Sequence, residues 1–126
     1  MLPKLLLVDD SHTARSLVRV FLMGLKCEIL EAGSAEEALG LISDPAIRLV
    51  VADNTMTGMD GVTFTQKVRA DLRDNVRQLP IVLLTGDAAA DLPMRARTAG
   101  VTAFLNKPVT SQALRRIVEP YFPKGP

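Results

Sequence analysis

Apolar residues are distributed along this chain in short blocks. Residues 5–8, 27–30, 49–52 and 81–84 are four-residue runs rich in Leu, Ile and Val, and 102–105 is a weaker fifth. None alternates with polar residues, the pattern of strands covered on both faces. Between the blocks the apolar period lengthens to that of a helix. Residues 13–25 carry Ala14, Leu17, Val18, Phe21, Leu22 and Leu25 on one stripe. Ser34-Ala35-Glu36-Glu37 reads as a capping box opening a helix to about residue 43. Asp60 can cap a helix over 61–72 whose inner side is Val62, Thr65, Val68 and Leu72. Pro93 suits the first turn of a short helix that stops at Gly100. Thr110 or Ser111 can cap the last helix, with Leu114, Ile117, Val118 and Tyr121 inward and Pro120 ending it.

Strand and helix therefore alternate five times. The expected fold is α/β, a (βα)5 doubly wound five-stranded parallel sheet with helices on both faces. At 126 residues, with 48% hydrophobic and 23% charged, the chain suits one ordinary globular domain. A net charge of +1 argues against a broad nucleic-acid surface. The single cysteine, Cys27, rules out an internal disulfide and a cysteine-rich metal site. The first residues do not make a signal peptide and no run could span a membrane, so a cytoplasmic location is expected.

Candidate chemistry gathers at the strand ends. The first strand runs straight into Asp9 and Asp10, the third ends at Asp53, the fourth at Thr85, and the fifth at Asn106-Lys107-Pro108. In an open parallel sheet this is the edge where ligands bind. Two carboxylates about 4 Å apart repel by roughly 4 kcal/mol at an effective dielectric of 20, so either the adjacent pair is solvated or something in the fold repays that cost. Glu31, at the end of the second strand, reads as an edge position outside the group.

These pieces, "LLVDDS", "EAGSAEEAL", "LVVADNTMTGMDG", "LPIVLLTG" and "GVTAFLNKP", span essentially the whole chain in order. The chain resembles a receiver domain of the bacterial two-component response regulators, of the chemotaxis-regulator-like kind. The resemblance implies a flavodoxin-like sheet of strand order 2-1-3-4-5, a receiver domain over 1–122, and a tail or linker start at 123–126. It implies that Asp53 accepts a phosphoryl group in the presence of Mg²⁺. Asp10, Asp53 and the main-chain carbonyl of Thr55 would ligate the ion, with Asp9 acting through water. Lys107 would be the cation opposite the metal, and Thr85 would donate its hydroxyl to a phosphoryl oxygen. Thr85 and Phe104 would form the switch, biasing a surface made by the fourth helix, fifth strand and fifth helix. A cis Lys107–Pro108 bond is also implied. The phosphoryl group would come from a sensor histidine kinase, a phosphotransfer protein or a small donor. Signal would pass to a downstream target protein or output domain, with no direct nucleic-acid or membrane contact. A phosphorylation-dependent dimer is compatible with this scheme. The domain would catalyse only its own phosphorylation and slow dephosphorylation, with no turnover of a separate substrate.

Thr57 departs from the family, which usually has proline there, and a looser loop is expected. Thr55 and Asp87 are expected to tune the lifetime of the phosphoryl group. His12 reads as a surface residue of the first helical turn, Cys27 as a small buried hydrophobe, Met56 and Met59 as packing residues. Arg15 and Arg19 read as a solvated face. Arg95, Arg97, Arg115 and Arg116 divide evenly between that and docking. "DNTMT" also resembles the acceptor motif of haloacid-dehalogenase-type phosphatases, which leaves Asp9-Asp10 unexplained. A P-loop nucleotide site is excluded by the lack of G-x-x-x-x-G-K-[ST]. A pseudo-receiver that is never phosphorylated would not need all five polar positions. Whether the chain stands alone or is a piece of a longer regulator stays open.

Overall fold

In a computed structural model that describes residues 2–86 and 89–123, all five apolar blocks are strands. They are β1 Lys4–Val8, β2 Glu28–Ala32, β3 Ile47–Asp53, β4 Ile81–Thr85 and β5 Ala103–Asn106. Among the described residues they form one parallel sheet of order β2-β1-β3-β4-β5, as the resemblance implied.

Alternate side chains of the central strands feed two cores. Leu6, Val8, Val50, Ala52, Ile81 and Leu83 face one layer; Leu5, Leu7, Leu49, Val51, Val82 and Leu84 face the other. The first layer is closed by α2 Ala35–Leu41, α3 Gly61–Arg69, α4 Asp74–Arg77 and α5 Leu92–Ala99, through residues such as Ala38, Phe64, Val76 and Leu92. The second is closed by α1 His12–Phe21 and α6 Ser111–Val118, through Val18, Leu22, Leu114 and Val118. A 3₁₀ turn, Glu119–Tyr121, follows α6 and brings Phe122 into this core.

The expected caps at Ser34, Asp60 and Thr110 form, and Ser11, not anticipated as a cap, opens the first helix. Ser11, Ser34, Asp60 and Thr110 accept the backbone N–H groups of Ala14, Glu37, Thr63 and Ala113 at 2.8–3.1 Å. Thr110, not Ser111, is the cap of α6. Gly100 ends α5 with φ +98°, in the left-handed region.

Several helix ends fall short of expectation. α1 stops at Phe21 rather than Leu25 because the chain turns out through Gly24 at φ +90°. Leu17, expected inward, is 52% exposed; the buried stripe is Val18 and Leu22. α2 stops at Leu41 rather than 43. α3 stops at Arg69, before the expected Leu72, which is 94% exposed. There the Asp71 side chain accepts the Arg73 N–H at 2.8 Å, a local turn that competes with the helix. The extra turn α4 was not foreseen. It is tied in by Arg69, whose Nη1 donates to the Arg77 carbonyl at 2.8 Å while Nε and Nη2 donate to that of Gly100 at 3.0 and 2.9 Å.

Two arginines expected on a solvated face are also engaged. Arg15 Nε reaches Glu31 Oε1 at 2.8 Å, and its Nη1 donates to the Asp9 carbonyl. Arg19 Nη1 donates to Glu31 Oε2 at 3.1 Å and to the Ile29 carbonyl at 3.3 Å. Arg115 donates to the Phe21 and Met23 carbonyls at 3.1 and 2.8 Å, locking the end of α1 to α6. Arg95 pairs with Asp91 at 2.9 Å, whereas Arg97 and Arg116 are exposed.

Candidate functional site

The register of the sheet assembles the site. Val8 pairs with Ala52, so Asp9 and Asp53 follow side by side; Thr85 pairs with Asn106, so Lys107 follows beside it. Asp9, Asp53 and Thr85 are all buried, the last completely. Lys107 swings back over the edge, its N–H donating to the Thr85 carbonyl at 2.7 Å. The Lys107–Pro108 bond is cis.

Lys107 Nζ lies 2.6 Å from Asp53 Oδ1, with the lysine side chain 40% exposed. The pair is ionic rather than directional: no donor is aligned with Asp53 Oδ1, a buried oxygen left without a hydrogen bond. Asp9 Oδ1 accepts the Ser11 N–H at 2.9 Å. Burial pushes the Asp9 carboxyl above its ordinary range against that hydrogen bond, and the nearby Asp53 charge pushes it further.

Asp10 is placed differently. It is exposed, and its Oδ2 accepts from both the Thr57 N–H at 2.9 Å and the Thr57 hydroxyl at 3.1 Å. Those two bonds hold its carboxyl below the usual range, the N–H contributing more. The loop after β3 is therefore tied down where a looser one was expected. Thr57 brings two donors that a proline would lack.

The rest of that loop is anchored by Asn54, which is buried. Its N–H donates to the Leu84 carbonyl at 2.8 Å, its own carbonyl accepts the Gly61 N–H at 3.0 Å, and its Oδ1 accepts that of Val62 at 3.3 Å. Glu36 Oε1 accepts the Met59 N–H at 3.4 Å. Thr55 is exposed, while Met56 is buried and Met59 packs on the first core.

Asp9, Asp53, Thr85 and Lys107 thus come together as the strand ends suggested, with Asp10 and Thr55 at the rim. Among the described residues, no three His, Cys, Asp or Glu side chains are gathered closely enough to hold a metal ion. The donor chemistry nonetheless fits a hard divalent cation. Asp9 and Asp53 are buried acids within electrostatic reach, and among the described residues no hydrogen bond is aligned on Asp53 Oδ1. A cleft of about 210 Å³ opens beside them, lined by Asp9, Leu17, Phe21, Lys107 and Pro108 among others.

Phe104 stands apart from the acids. It pairs with Leu83 and lines a cleft of about 290 Å³ with Pro93, Ala96 and Arg97, between α5 and β5. Asp87 lies outside the described residues, as do the last three of the expected tail. His12 is exposed at the start of α1, and Cys27 is half-buried, its thiol pushed up by burial. Thr57, Asn54, Arg15 and Glu36 were not anticipated as supports of the site. Most of their partners lie on other strands, helices or loops, so no local pattern announces them.

A family model described as the response regulator receiver domain matches residues 5–119. The chain is 33% identical over 120 residues to the chemotaxis protein CheY of Pseudomonas aeruginosa, covering 94% of this chain and 95% of that protein. It is 32% identical to part of the sensor protein GacS of Pseudomonas syringae, over 92% of this chain and 13% of that protein. Among solved structures, CheY4 of Vibrio cholerae superposes with a TM-score of 0.84 at 25% identity, covering 97% of this chain and all (100%) of the other. A response regulator receiver protein of Pseudomonas putida gives 0.83 at 28% identity, over 95% of this chain and 98% of that one. Strand order, acids at the sheet edge and the match along nearly the whole chain converge: the protein belongs to the response regulator receiver domains of two-component signalling.

Proposed function

We propose that Asp53 is the phosphoacceptor and that its phosphorylation is Mg²⁺-dependent. The observation that carries this reading is Asp53 itself: buried at the end of a central strand, with Lys107 Nζ 2.6 Å from its Oδ1. An Asp53 oxygen attacks phosphorus, the bond from phosphorus to the donor's leaving atom breaks, and that atom departs with the electron pair. Bound Mg²⁺ supplies positive charge between the carboxylates and the phosphoryl oxygens. Asp10, Asp53 and the Thr55 carbonyl would hold it, with Asp9 acting through water.

The chain's own residues do the rest by placement and charge. Lys107 follows the phosphoryl oxygens as a point charge on a flexible stem. The Thr85 hydroxyl donates to one of those oxygens. The added charge of about −1.5 to −2 at Asp53 draws Thr85 inward, and the Phe104 ring follows toward the space it leaves. The surface that changes is α5, β5 and α6, the last three elements before the 3₁₀ turn. Thr55, two residues after Asp53, and Asp87, two residues after Thr85, set how readily water reaches the phosphoryl group. The expected donors are a histidine kinase or phosphotransfer protein, and the expected readers a target protein or output domain, in the cytoplasm. The likeness to chemotaxis proteins and to a sensor protein supports this, and no helix among the described residues is long and apolar enough to cross a membrane.

The test is incubation with Mg²⁺ and acetyl phosphate or beryllofluoride, for the wild type and Asp53→Asn. Labelling of the wild type alone, abolished by chelation, is the expected result. An unlabelled wild type overturns the reading.

A further inference from the structure

Thr57 sits where receiver domains usually carry proline, a residue with neither an N–H nor a hydroxyl to donate. Both of its donors go to one atom, Asp10 Oδ2, across 47 residues of sequence. The loop is shaped to aim them. Gly58 follows at φ +82°, Met59 is held by Glu36, and Asn54 anchors the other end. A carboxylate oxygen has two in-plane lone pairs, and here both are engaged.

Asp9 and Asp53 meanwhile lie buried near one another, and no third acid among the described residues joins them as a metal cage. Asp10 is the acid withheld. We propose that Thr57 is a clasp: in the cation-free protein it keeps the Asp10 carboxylate on the acceptor loop, so Mg²⁺ binds more weakly than the same acids would allow without it. This rests on the Mg²⁺ reading above. The trade is local. An incoming cation must draw Asp10 from two charge-assisted hydrogen bonds before that carboxylate can serve as a ligand. Thr57 acts through Asp10 and is a positioning residue.

The experiment is calorimetric titration of Mg²⁺ into the full chain, for wild type, Thr57→Val (hydroxyl removed, N–H kept) and Thr57→Pro (both removed). The expected result is affinity about threefold tighter for Val and about tenfold tighter for Pro, the scale of one and two typical net hydrogen bonds at an exposed carboxylate. Neither substitution should change the affinity in an Asp10→Ala background, which has no side-chain acceptor. Unchanged or weaker binding by Thr57→Val and Thr57→Pro overturns the clasp. A second readout does not depend on Thr57→Pro folding: the Thr57 amide proton resonance should move upfield in Asp10→Ala and as Mg²⁺ saturates the wild type. A resonance that stays put overturns the clasp as well. A wild type with no saturable Mg²⁺ binding removes the metal reading and the clasp with it. Saturable binding with flat variants removes the clasp alone.

Discussion

Burial and a neighbouring carboxylate raise the Asp9 carboxyl above the usual range, so the folded chain holds a proton there more tightly than the unfolded chain does. Stability contributed by this group is therefore present at low pH and is lost as pH rises from the unfolded value of 3.8 through the raised folded one. At pH 7 the ionised side chain is a net cost in the cation-free protein. Asp9→Asn keeps an acceptor for the Ser11 N–H and removes the charge. It is expected to melt above wild type at pH 7 without Mg²⁺, with the gap shrinking as pH falls toward 4; excess Mg²⁺ should stabilise wild type more than the variant. Thermal melts across pH, with and without Mg²⁺, check this. Asp9, Asp53, Thr85 and Lys107 were legible in the sequence because each closes or follows an apolar block whose end is fixed by the sheet. The grip of Thr57 on Asp10, and of Arg15 on the Asp9 carbonyl, was not. The first joins loops 47 residues apart, and the second depends on which way the Arg15 side chain of α1 turns back over the end of β1.

α3 shows how an element is seated. Gly61, its first residue, lies against β3 and β4: a Cβ there would come within 2.4 Å of Leu83 Cδ1 and 3.0 Å of both the Asn54 Cα and the Asp53 carbonyl. Two of those contacts are backbone, which yields only at a cost. Gly61→Ala is expected to destabilise by about 1–3 kcal/mol through overpacking, read from urea unfolding. It should also weaken phosphorylation, because the displaced backbone is that of Asp53 and Asn54. Several helix starts were legible at this scale because Ser34, Asp60 and Thr110 are capping residues in plain view; the Ser11 cap of α1 was not foreseen. Helix ends were less so. Leu25 and Leu72 continue an apolar period past the last helical turn, while Gly24 and the Asp71 turn stop the helix first. α4 was invisible because one turn offers no period to detect; its place is set by Val76 in the core and by Arg69.

The molecule as a whole is two packed layers divided by a sheet, and alternation along β1, β3 and β4 assigns each side chain to one of them. Ile81 belongs to the first layer and Val118 to the second. Ile81→Val should cost about 0.5–1.5 kcal/mol. Combined with Val118→Ala the losses should add to within about 0.5 kcal/mol, since the pair shares no cavity. Urea unfolding of the two singles and the double gives the coupling. The overall architecture was legible because unbroken apolar strands alternating with amphipathic helices leave few topologies open. The strand order came from resemblance, since periodicity says nothing about which neighbours pair.

A parallel sheet that stays open has two margins, and β2 forms one of them. An unpaired margin is an invitation to any extended segment from another molecule. Here the Ile29 oxygen is already taken by the guanidinium of Arg19, which also neutralises Glu31 alongside. A stray strand arriving at that border meets an occupied acceptor and a bulky cation, so the same arginine that braces the first helix also guards the protein against growth into a ribbon of copies.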